Sequence, residues 1–260
     1  MTDTTTGTIH ASNTRATPLE TAVALLRSIV AYVVVSLYVL VVAPIAILLA
    51  LLFRARSVLF VPGRIGVTLA LAIVGIRWRV AGRDRVPSDG VVFCSNHQSN
   101  VDPPLLFLTL HRRLQMLYKV EFDRIPILSH AIRMARFVAI DRTDRRQAAR
   151  AIERAAGFVR QGESFLIFAE GTRSRTGELL PFKKGGFVLA ILGQAPIVPV
   201  AITGARDAMR KGSAIIRPVT VSVRIGRPVD TRGMTVADRD RLVVEVRARI
   251  EALLGEGPVN

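Results

Sequence analysis

Hydrophobic positions divide the chain into two parts with different patterns. From Ser28 to Phe53 no residue is charged, and as a helix this segment would be roughly 39 Å long, longer than the hydrocarbon core of a bilayer. A second apolar stretch, Ile65 to Ile76, would reach only roughly 18 Å and is too short to span alone. The pattern predicts a membrane-associated helical pair over residues 27–76, a hairpin or half-inserted pair, after a polar, disordered tail over residues 1–26.

After Arg77 short apolar runs alternate with amphipathic stretches, which is typical of an α/β fold. The segments 143–160 and 236–254 carry apolar residues at helical spacing. The apolar runs predict strands at Trp78–Ala81, Val91–Ser95, Gln115–Lys119, Phe137–Ile140, Phe165–Ala169, Ile197–Ile202 and Thr220–Ile225. We therefore expect one α/β domain over residues 77–260, with a mixed central sheet flanked by helices.

Net charge and aromatic content narrow the class of partner. The chain has a formal net charge of +16 and a pI of about 11.5, while 50% of its residues are hydrophobic. Strong basicity with such apolarity indicates an anionic membrane surface. Nucleic acid is the competing explanation, but only 6% of residues are aromatic, and the arginine-rich faces carry no interleaved aromatics for base stacking. We therefore expect membrane binding and no nucleic acid.

A histidine and a carboxylate lie five residues apart in the segment NHQSNVD, from Asn96 to Asp102. The segment follows the predicted strand Val91–Ser95, and Pro103 after it is tolerated in the first turn of a helix. Ligands of α/β proteins usually bind at such strand ends. His97 would act as a general base on an alcohol, with Asp102 fixing its tautomer. In the alternative interpretation, His97 is an ordinary loop residue and Asp102 only caps the helix.

A second polar stretch, from Phe168 to Phe187, has the residue types of an anion-binding site. It follows a predicted strand and combines a turn glycine, a hydroxyl, a guanidinium and two lysines before a helix N-terminus. These residues are Gly171, Thr172, Arg173, Lys183 and Lys184. Glu170 would accept a hydrogen bond from a substrate hydroxyl, or pair with an arginine. The alternative interpretation is a solvated connection between strand and helix.

Four sequence blocks, in order, resemble those of the glycerolipid acyltransferase family, most closely the 1-acylglycerol-3-phosphate acyltransferases. The blocks are Asn96–Asp102, Phe137–Arg142, Phe168–Ser174 and Val198–Ile202. The first matches the family's His-x-x-x-x-Asp pattern, and the third its Phe-x-Glu-Gly-Thr-Arg-Ser pattern. The chain departs from the family at Ala169, where proline is common, and at Ser129 and Ala135, where glycines are common. These departures concern loop shape and leave the chemical groups in place.

The resemblance implies transfer of a fatty acyl chain from an acyl thioester to the 2-hydroxyl of 1-acyl-sn-glycerol 3-phosphate, forming phosphatidate. The thioester would be acyl-CoA or acyl-carrier protein, and neither a metal nor another cofactor is implied. His97 would be the base and Asp102 its partner. Candidates to bind the glycerol phosphate are Lys119, Arg142, Arg173 and Lys184. We expect the enzyme at the cell membrane with its catalytic domain on the cytoplasmic face, although arginines flanking the first apolar segment leave its orientation open.

Three alternatives remain at this point. The acceptor could be glycerol 3-phosphate, another lysophospholipid or a lyso-aminolipid. The chain could also be a noncatalytic phospholipid-binding module, but binding alone gives no reason for a histidine and a carboxylate beside an anion site. Cys94, the only cysteine, could be a nucleophile. We expect it instead to be a core residue with a poorly ionised thiol.

Overall fold

The described chain begins in a helix. The computed structural model describes residues 17–88, 90–111, 113–141 and 143–259. Helix α1 (Pro18–Leu52) begins nine residues before the predicted helical pair, because Thr17 and Glu20 form a capping box. The Glu20 amide donates to the Thr17 hydroxyl at 3.2 Å, and the Thr17 amide donates to the Glu20 carboxylate at 2.8 Å. The predicted tail boundary at residue 26 is therefore wrong, and residues 1–16 of that tail lie outside the described residues.

A second helix packs against α1 and completes a hairpin. The hairpin consists of α1, a 3-10 turn (Arg56–Leu59) and helix α2 (Phe60–Val74). Helix α1 continues through Pro44. Gly66 allows the two helices to approach closely, because a Cβ there would lie 2.8 Å from the Tyr38 ring. By length and composition, Pro18–Leu52 and Arg56–Val74 are each long and apolar enough to cross a membrane.

Helix α1 has one side attached to the rest of the protein and another that is apolar and open. On the attached side, the Ile216 amide donates to the Ser28 hydroxyl at 2.8 Å, and the Tyr32 hydroxyl donates to the Ala214 carbonyl at 2.8 Å. Large apolar side chains that are 57 to 70% exposed include Leu26, Leu37, Leu52 and Phe53. Such a surface is typical of a site that binds a membrane or another protein.

Seven strands form one mixed sheet, as the sequence predicted. They are β1 (Arg77–Ala81), β2 (Val92–Ser95), β3 (Leu114–Lys119), β4 (Val138–Ile140), β5 (Ser164–Phe168), β6 (Ile197–Thr203) and β7 (Thr220–Ile225). The order is β1-β7-β6-β2-β5-β3-β4. Only β6 and β7 pair in antiparallel fashion among these described strands. The strands β6, β2, β5, β3 and β4 therefore have their carboxyl ends at one edge of the sheet.

Helices cover both faces of the sheet. The remaining helices are α3 (Asp102–Thr109), α4 (Pro126–Met134), α5 (Arg145–Val159), α6 (Gly185–Gly193), α7 (Ala205–Ala208) and α8 (Arg239–Gly255). One core lies between the sheet and α1, α2 and α3, and the other lies under α5, α6 and α8. Because side chains alternate along a strand, Phe93 of β2 lies in the first core and Cys94 in the second. The expected mixed sheet flanked by helices is confirmed.

Strands β2 and β5 bring the two predicted site segments to the same edge. They are parallel neighbours with Ser95 opposite Phe168, and the Ala169 amide continues the ladder by donating to the Ser95 carbonyl at 3.0 Å. On the other side of β2, the Asn96 side chain donates to the Ile202 carbonyl at 2.9 Å and accepts from the Ile202 amide at 2.8 Å. The loops after β2 and β5 therefore leave the sheet side by side.

Candidate active site

His97 and Asp102 form a hydrogen-bonded pair at this edge. His97 Nδ1 lies 2.8 Å from Asp102 Oδ2. The same oxygen accepts from the amides of Gln98 at 2.6 Å and Ser99 at 2.8 Å, while Oδ1 has no hydrogen-bond partner among the described residues. Helix α3 begins at Asp102 itself, without a side-chain cap. The alternative interpretation of Asp102 as a helix cap is therefore wrong, because its carboxylate holds the loop that carries His97.

The His97 ring is held with its second nitrogen available. The ring stacks on Phe168 with centroids 4.0 Å apart and planes at 21°. The side chain of His97 is 14% exposed and that of Asp102 is 0% exposed. Beside an ionised carboxylate, which only accepts hydrogen bonds, a neutral imidazole would carry its proton on Nδ1 and keep a lone pair on Nε2. Nε2 has no partner in the part of the chain that the structure describes. The pair therefore has the arrangement of a general base and its orienting group.

Glu170 joins the His97 loop to the loop after β5. Its Oε1 accepts from the His97 amide at 2.7 Å and its Oε2 from the Leu180 amide at 3.0 Å. The Ser174 amide also donates to the His97 carbonyl at 2.8 Å. Burial raises the pKa of the Glu170 carboxyl, while the two backbone N–H groups act in the opposite direction. Both carboxylate oxygens of Glu170 thus accept hydrogen bonds from backbone N–H groups. The predicted contact of Glu170 with a substrate hydroxyl stays a prediction.

The turn after Glu170 requires glycine and presents two polar side chains. Gly171 has a φ of +65°, and a Cβ there would lie 3.0 Å from Lys183 Cγ. Thr172 is exposed and Arg173 is half-buried. Among the described residues, the Arg173 guanidinium has no hydrogen bond or ion pair. The loop after β5 therefore presents the Thr172 hydroxyl and the Arg173 guanidinium close to the His97 loop.

Lys211 is a candidate phosphate ligand that the sequence analysis missed. Its Nζ donates to the Thr172 hydroxyl at 3.0 Å and to the Arg173 carbonyl at 3.1 Å. Its loop is anchored near the catalytic segment, because the Ser99 hydroxyl donates to the Met209 carbonyl at 2.9 Å. The only local signal was that Lys211 belongs to a short basic run, which is common on protein surfaces. Its contact with Arg173 crosses 38 residues of sequence and follows only from the fold.

The other predicted phosphate ligands have partners elsewhere or are not described. Lys184 Nζ pairs with Asp240 of α8 at 3.0 Å, and Lys119 at the end of β3 pairs with Glu121 at 2.5 Å. All four side chains are well exposed, and such ion pairs contribute little to stability. Arg142 lies outside the described residues. The roles of Lys119, Arg142 and Lys184 therefore stay predictions.

Cys94 lies close to His97 in sequence but is separated from it by the sheet. Its side chain is fully buried in the core under α5, α6 and α8. Burial raises the pKa of the Cys94 thiol, and the negative charge of Glu170 raises it further. A thiol in this environment is a poor nucleophile. The position agrees with the interpretation of Cys94 as a core residue.

A family model and several known proteins are similar to this chain in sequence. A family model described as Acyltransferase matches residues 77–203. The 1-acyl-sn-glycerol-3-phosphate acyltransferase of Limnanthes douglasii is 33% identical over 176 residues, which are 67% of this chain and 62% of the relative. The enzyme of that name from Pseudomonas aeruginosa is 29% identical over 208 residues, 78% of either chain. The chain thus spans less than two thirds of the length of the plant relative.

A solved structure shares the whole architecture. The 1-acyl-sn-glycerophosphate (LPA) acyltransferase PlsC from Thermotoga maritima aligns with a TM-score of 0.80 and 25% identity, over 91% of this chain and 97% of that one. This chain therefore shares with that structure the mixed sheet and the preceding helices. Together with the matches in sequence, the fold places the segment 77–203 in the Acyltransferase family.

Proposed function

We propose that this protein is a 1-acyl-sn-glycerol-3-phosphate acyltransferase. It transfers a fatty acyl chain from acyl-CoA or acyl-carrier protein to the 2-hydroxyl of 1-acyl-sn-glycerol 3-phosphate, and the product is phosphatidate. The observation that carries the proposal is the contact between His97 Nδ1 and buried Asp102 Oδ2 at 2.8 Å, which leaves Nε2 available. The names of the relatives support the choice of acceptor.

The reaction proceeds without an acyl-enzyme intermediate. His97 Nε2 takes the proton of the acceptor hydroxyl while that oxygen attacks the thioester carbonyl carbon. The new C–O bond forms, the C–S bond breaks, and the imidazolium returns the proton to the departing thiolate. Asp102 stabilises the positive charge on His97 between these steps, since its carboxylate is buried beside Nδ1.

The acceptor phosphate binds to basic groups beside His97. Arg173 has no partner among the described residues, and Lys211 holds the loop of Thr172 and Arg173 in position. A phosphate on these groups would direct the neighbouring hydroxyl toward His97, which is catalysis by positioning. Arginine offers two parallel donors to phosphate oxygens and lysine a single charge.

The hairpin of α1 and α2 holds the enzyme on the membrane, where both lipid substrate and product are found. Its support is the row of exposed apolar side chains along α1 and the length and composition of both hairpin helices. The excess of basic residues agrees with an anionic lipid surface. We propose the cell membrane as the location, with the catalytic domain on the cytoplasmic face, where acyl-CoA and acyl-carrier protein are found.

The activity is tested with detergent-purified protein. Radiolabelled 1-acyl-sn-glycerol 3-phosphate is incubated with acyl-CoA or with acyl-carrier protein, and phosphatidate is quantified. Glycerol 3-phosphate, lysophosphatidylcholine and a lyso-aminolipid are then added as competing acceptors in the same mixture. We expect phosphatidate as the main product with at least one donor. A higher kcat/KM for another acceptor would overturn the assignment of the acceptor, and saturable lipid binding without turnover would overturn the assignment as an enzyme.

A further inference from the structure

A polar cavity of about 140 Å³ lies at the edge of the sheet opposite to His97. Its lining includes Arg54 and Arg56 of the hairpin turn, Arg113 and Gln115 at the start of β3, Arg136 after α4, and Glu163 before β5. Strands β3 and β5 are parallel to each other and to β2. Their starts therefore lie at the edge away from the catalytic loops, separated by roughly 16 Å for a five-residue strand.

The cavity has an excess of positive charge. Arg136 pairs with Glu163 at 3.1 Å. Arg54, Arg56 and Arg113 have no carboxylate partner among the described residues. Three guanidinium groups that the described residues leave unpaired, around one opening, attract an anion with several oxygens, and phosphate matches the forked donors of arginine.

Gln115 adds a buried acceptor that has no donor. The side chain is 1% exposed, and its Nε2 donates to Glu163 Oε2 at 2.8 Å. Its Oε1 has no hydrogen-bond partner in the described part of the chain. Exchanging the two amide atoms would turn the oxygen toward the Glu163 carboxylate, so Glu163 fixes the orientation of the amide. Gln115 lines the cavity, and its Oε1 is a buried acceptor for which the described residues supply no donor.

Arg136 adds a buried donor that has no acceptor. Its Nε has no partner among the described residues, although its guanidinium lies over the Phe158 ring at 4.8 Å and pairs with Glu163. Native proteins rarely leave such groups unpaired. An unpaired donor and an unpaired acceptor beside the same cavity indicate a ligand that offers both an anionic oxygen and a hydroxyl.

Two of the lining arginines also have an unusual backbone. Arg54 has a φ of +50° and Arg136 a φ of +65°. This left-handed region is uncommon for residues other than glycine, and such outliers cluster at ligand sites. The backbone conformation at both positions would favour glycine, yet both residues are arginines that line the cavity.

The chain directly before Arg54 is apolar and exposed. Its residues Leu52 and Phe53 are 67% and 70% exposed. A ligand with a charged head and an apolar body could contact both the arginines and this apolar segment. Small phosphate metabolites would use the arginines alone.

We propose that this cavity binds the headgroup of an anionic phospholipid. The phosphate contacts Arg56, Arg113 and Arg136, a headgroup hydroxyl donates to Gln115 Oε1, and the acyl chains follow Leu52 and Phe53. The cavity is about ten times larger than the roughly 10–15 Å³ that one water requires, so a hydrated phosphate fits. The proposal rests on the membrane association under the proposed function and not on acyl transfer.

Binding is measured by calorimetry on the full chain in detergent, without any thioester. The probes are short-chain phosphatidylglycerol, short-chain phosphatidylmethanol, which has the same charge but no headgroup hydroxyl, and glycerol 3-phosphate. We expect phosphatidylglycerol to bind about threefold to tenfold more tightly than phosphatidylmethanol, and glycerol 3-phosphate to bind weakest. Equal binding of the two lipids would overturn the role of Gln115. Binding of glycerol 3-phosphate as tight as that of the lipid would overturn the assignment to a lipid.

A charge-matched pair of variants locates the site. Arg56→Gln with Arg113→Gln should weaken phosphatidylglycerol binding at least tenfold, while Arg146→Gln with Arg150→Gln, at two exposed arginines of α5, should leave it within twofold. Circular dichroism checks that the exposed substitutions keep the fold. Equal affinity in the two double variants would overturn the proposal. Lipid binding in a chain without acyl transfer would contradict the proposed function alone, whereas acyl transfer without this binding would contradict only the present inference.

Discussion

The His97–Asp102 pair and the basic groups beside it are built in different ways. A short loop joins His97 to Asp102, the first residue of α3, and their side chains are 14% and 0% exposed. Hydrogen bonds to Glu170, Gln98 and Ser99 fix the pair. Arg173 and Lys211 come from separate loops and are only half-buried. Arg173 has no partner among the described residues.

The difference agrees with the two functions proposed for these groups. Proton transfer requires atoms within hydrogen-bond distance, so its groups are held rigidly. Phosphate binding depends on charge over a longer range, so its groups can remain adaptable until the ligand arrives. Changes to the pair should therefore lower kcat, whereas changes to the basic groups should mainly raise KM.

The largest effect is expected from loss of the base. His97→Ala removes the proton acceptor, and kcat should fall by about 10²–10⁴-fold, the usual contribution of a general base. The apparent KM for the lysophospholipid should change little, because the phosphate ligands are intact. The measurement is phosphatidate formation at saturating acceptor.

His130 provides the matched control for this substitution. It lies exposed on α4, so His130→Ala should keep kcat within twofold. Turnover of His97→Ala at the wild-type rate would eliminate His97 as the base and remove the distinction between the two regions.

A smaller fall is expected when only the charge of the pair is changed. In Asp102→Asn the amide oxygen can occupy the position of Oδ2 and keep the bonds to His97, Gln98 and Ser99. The NH₂ group would then occupy the position of Oδ1, which has no partner among the described residues. The loop should keep its shape, while the imidazolium loses its counter-charge. We expect kcat to fall by about 10²-fold, the low end of what general-base catalysis contributes, because the imidazole keeps its orientation. A variant within threefold of wild type would show that Asp102 only holds the loop.

The catalytic pair comes from one short segment and the basic groups come from separate loops, and this difference explains what the sequence could predict. The pair lies within five residues, and the apolar run of β2 marks where its loop starts, so motif and strand could be recognised together. Lys211 joins the site from 38 residues away, and no local pattern records that contact. Glu170 was recognised as part of the site, but its contacts are to backbone N–H groups, which any sequence supplies. The start of α1 was predictable, since Thr17, Pro18 and Glu20 are a readable capping pattern.

A still smaller effect is expected from substitutions of the basic groups. The apparent KM for the acceptor should distinguish Lys211 from Lys184. Lys211→Met removes the bonds to Thr172 and Arg173, so the apparent KM for the acceptor should rise about tenfold, the loss of one charge-assisted contact. Lys184→Met should change it less, because Lys184 pairs with Asp240. Arg227→Gln is the control for charge alone. If Lys184→Met raises KM and Lys211→Met does not, the ligand predicted from the motif is correct and the one inferred from the structure is wrong.

The smallest effect on activity is expected at Cys94, on the other side of the same strand. Cys94→Ala should keep kcat within twofold, because the thiol faces the core away from His97. A folded variant without turnover would instead make Cys94 a nucleophile. The substitution should instead change the free energy of unfolding at high pH. Burial raises the pKa of the folded thiol, whereas an unfolded thiol ionises near pH 9.0.

The sign of this pH effect follows from proton linkage. Above about pH 9 the unfolded chain loses the Cys94 proton and the folded chain keeps it, so ionisation favours unfolding. Relative to Cys94→Ala, the wild-type free energy of unfolding should then fall by about 1.4 kcal/mol per pH unit. Denaturant titrations at pH 8 and pH 10 measure the difference, and parallel curves for the two proteins would mean that the thiol ionises in the folded state. Such a thiol would be accessible and reactive, and Cys94 would again be a candidate nucleophile.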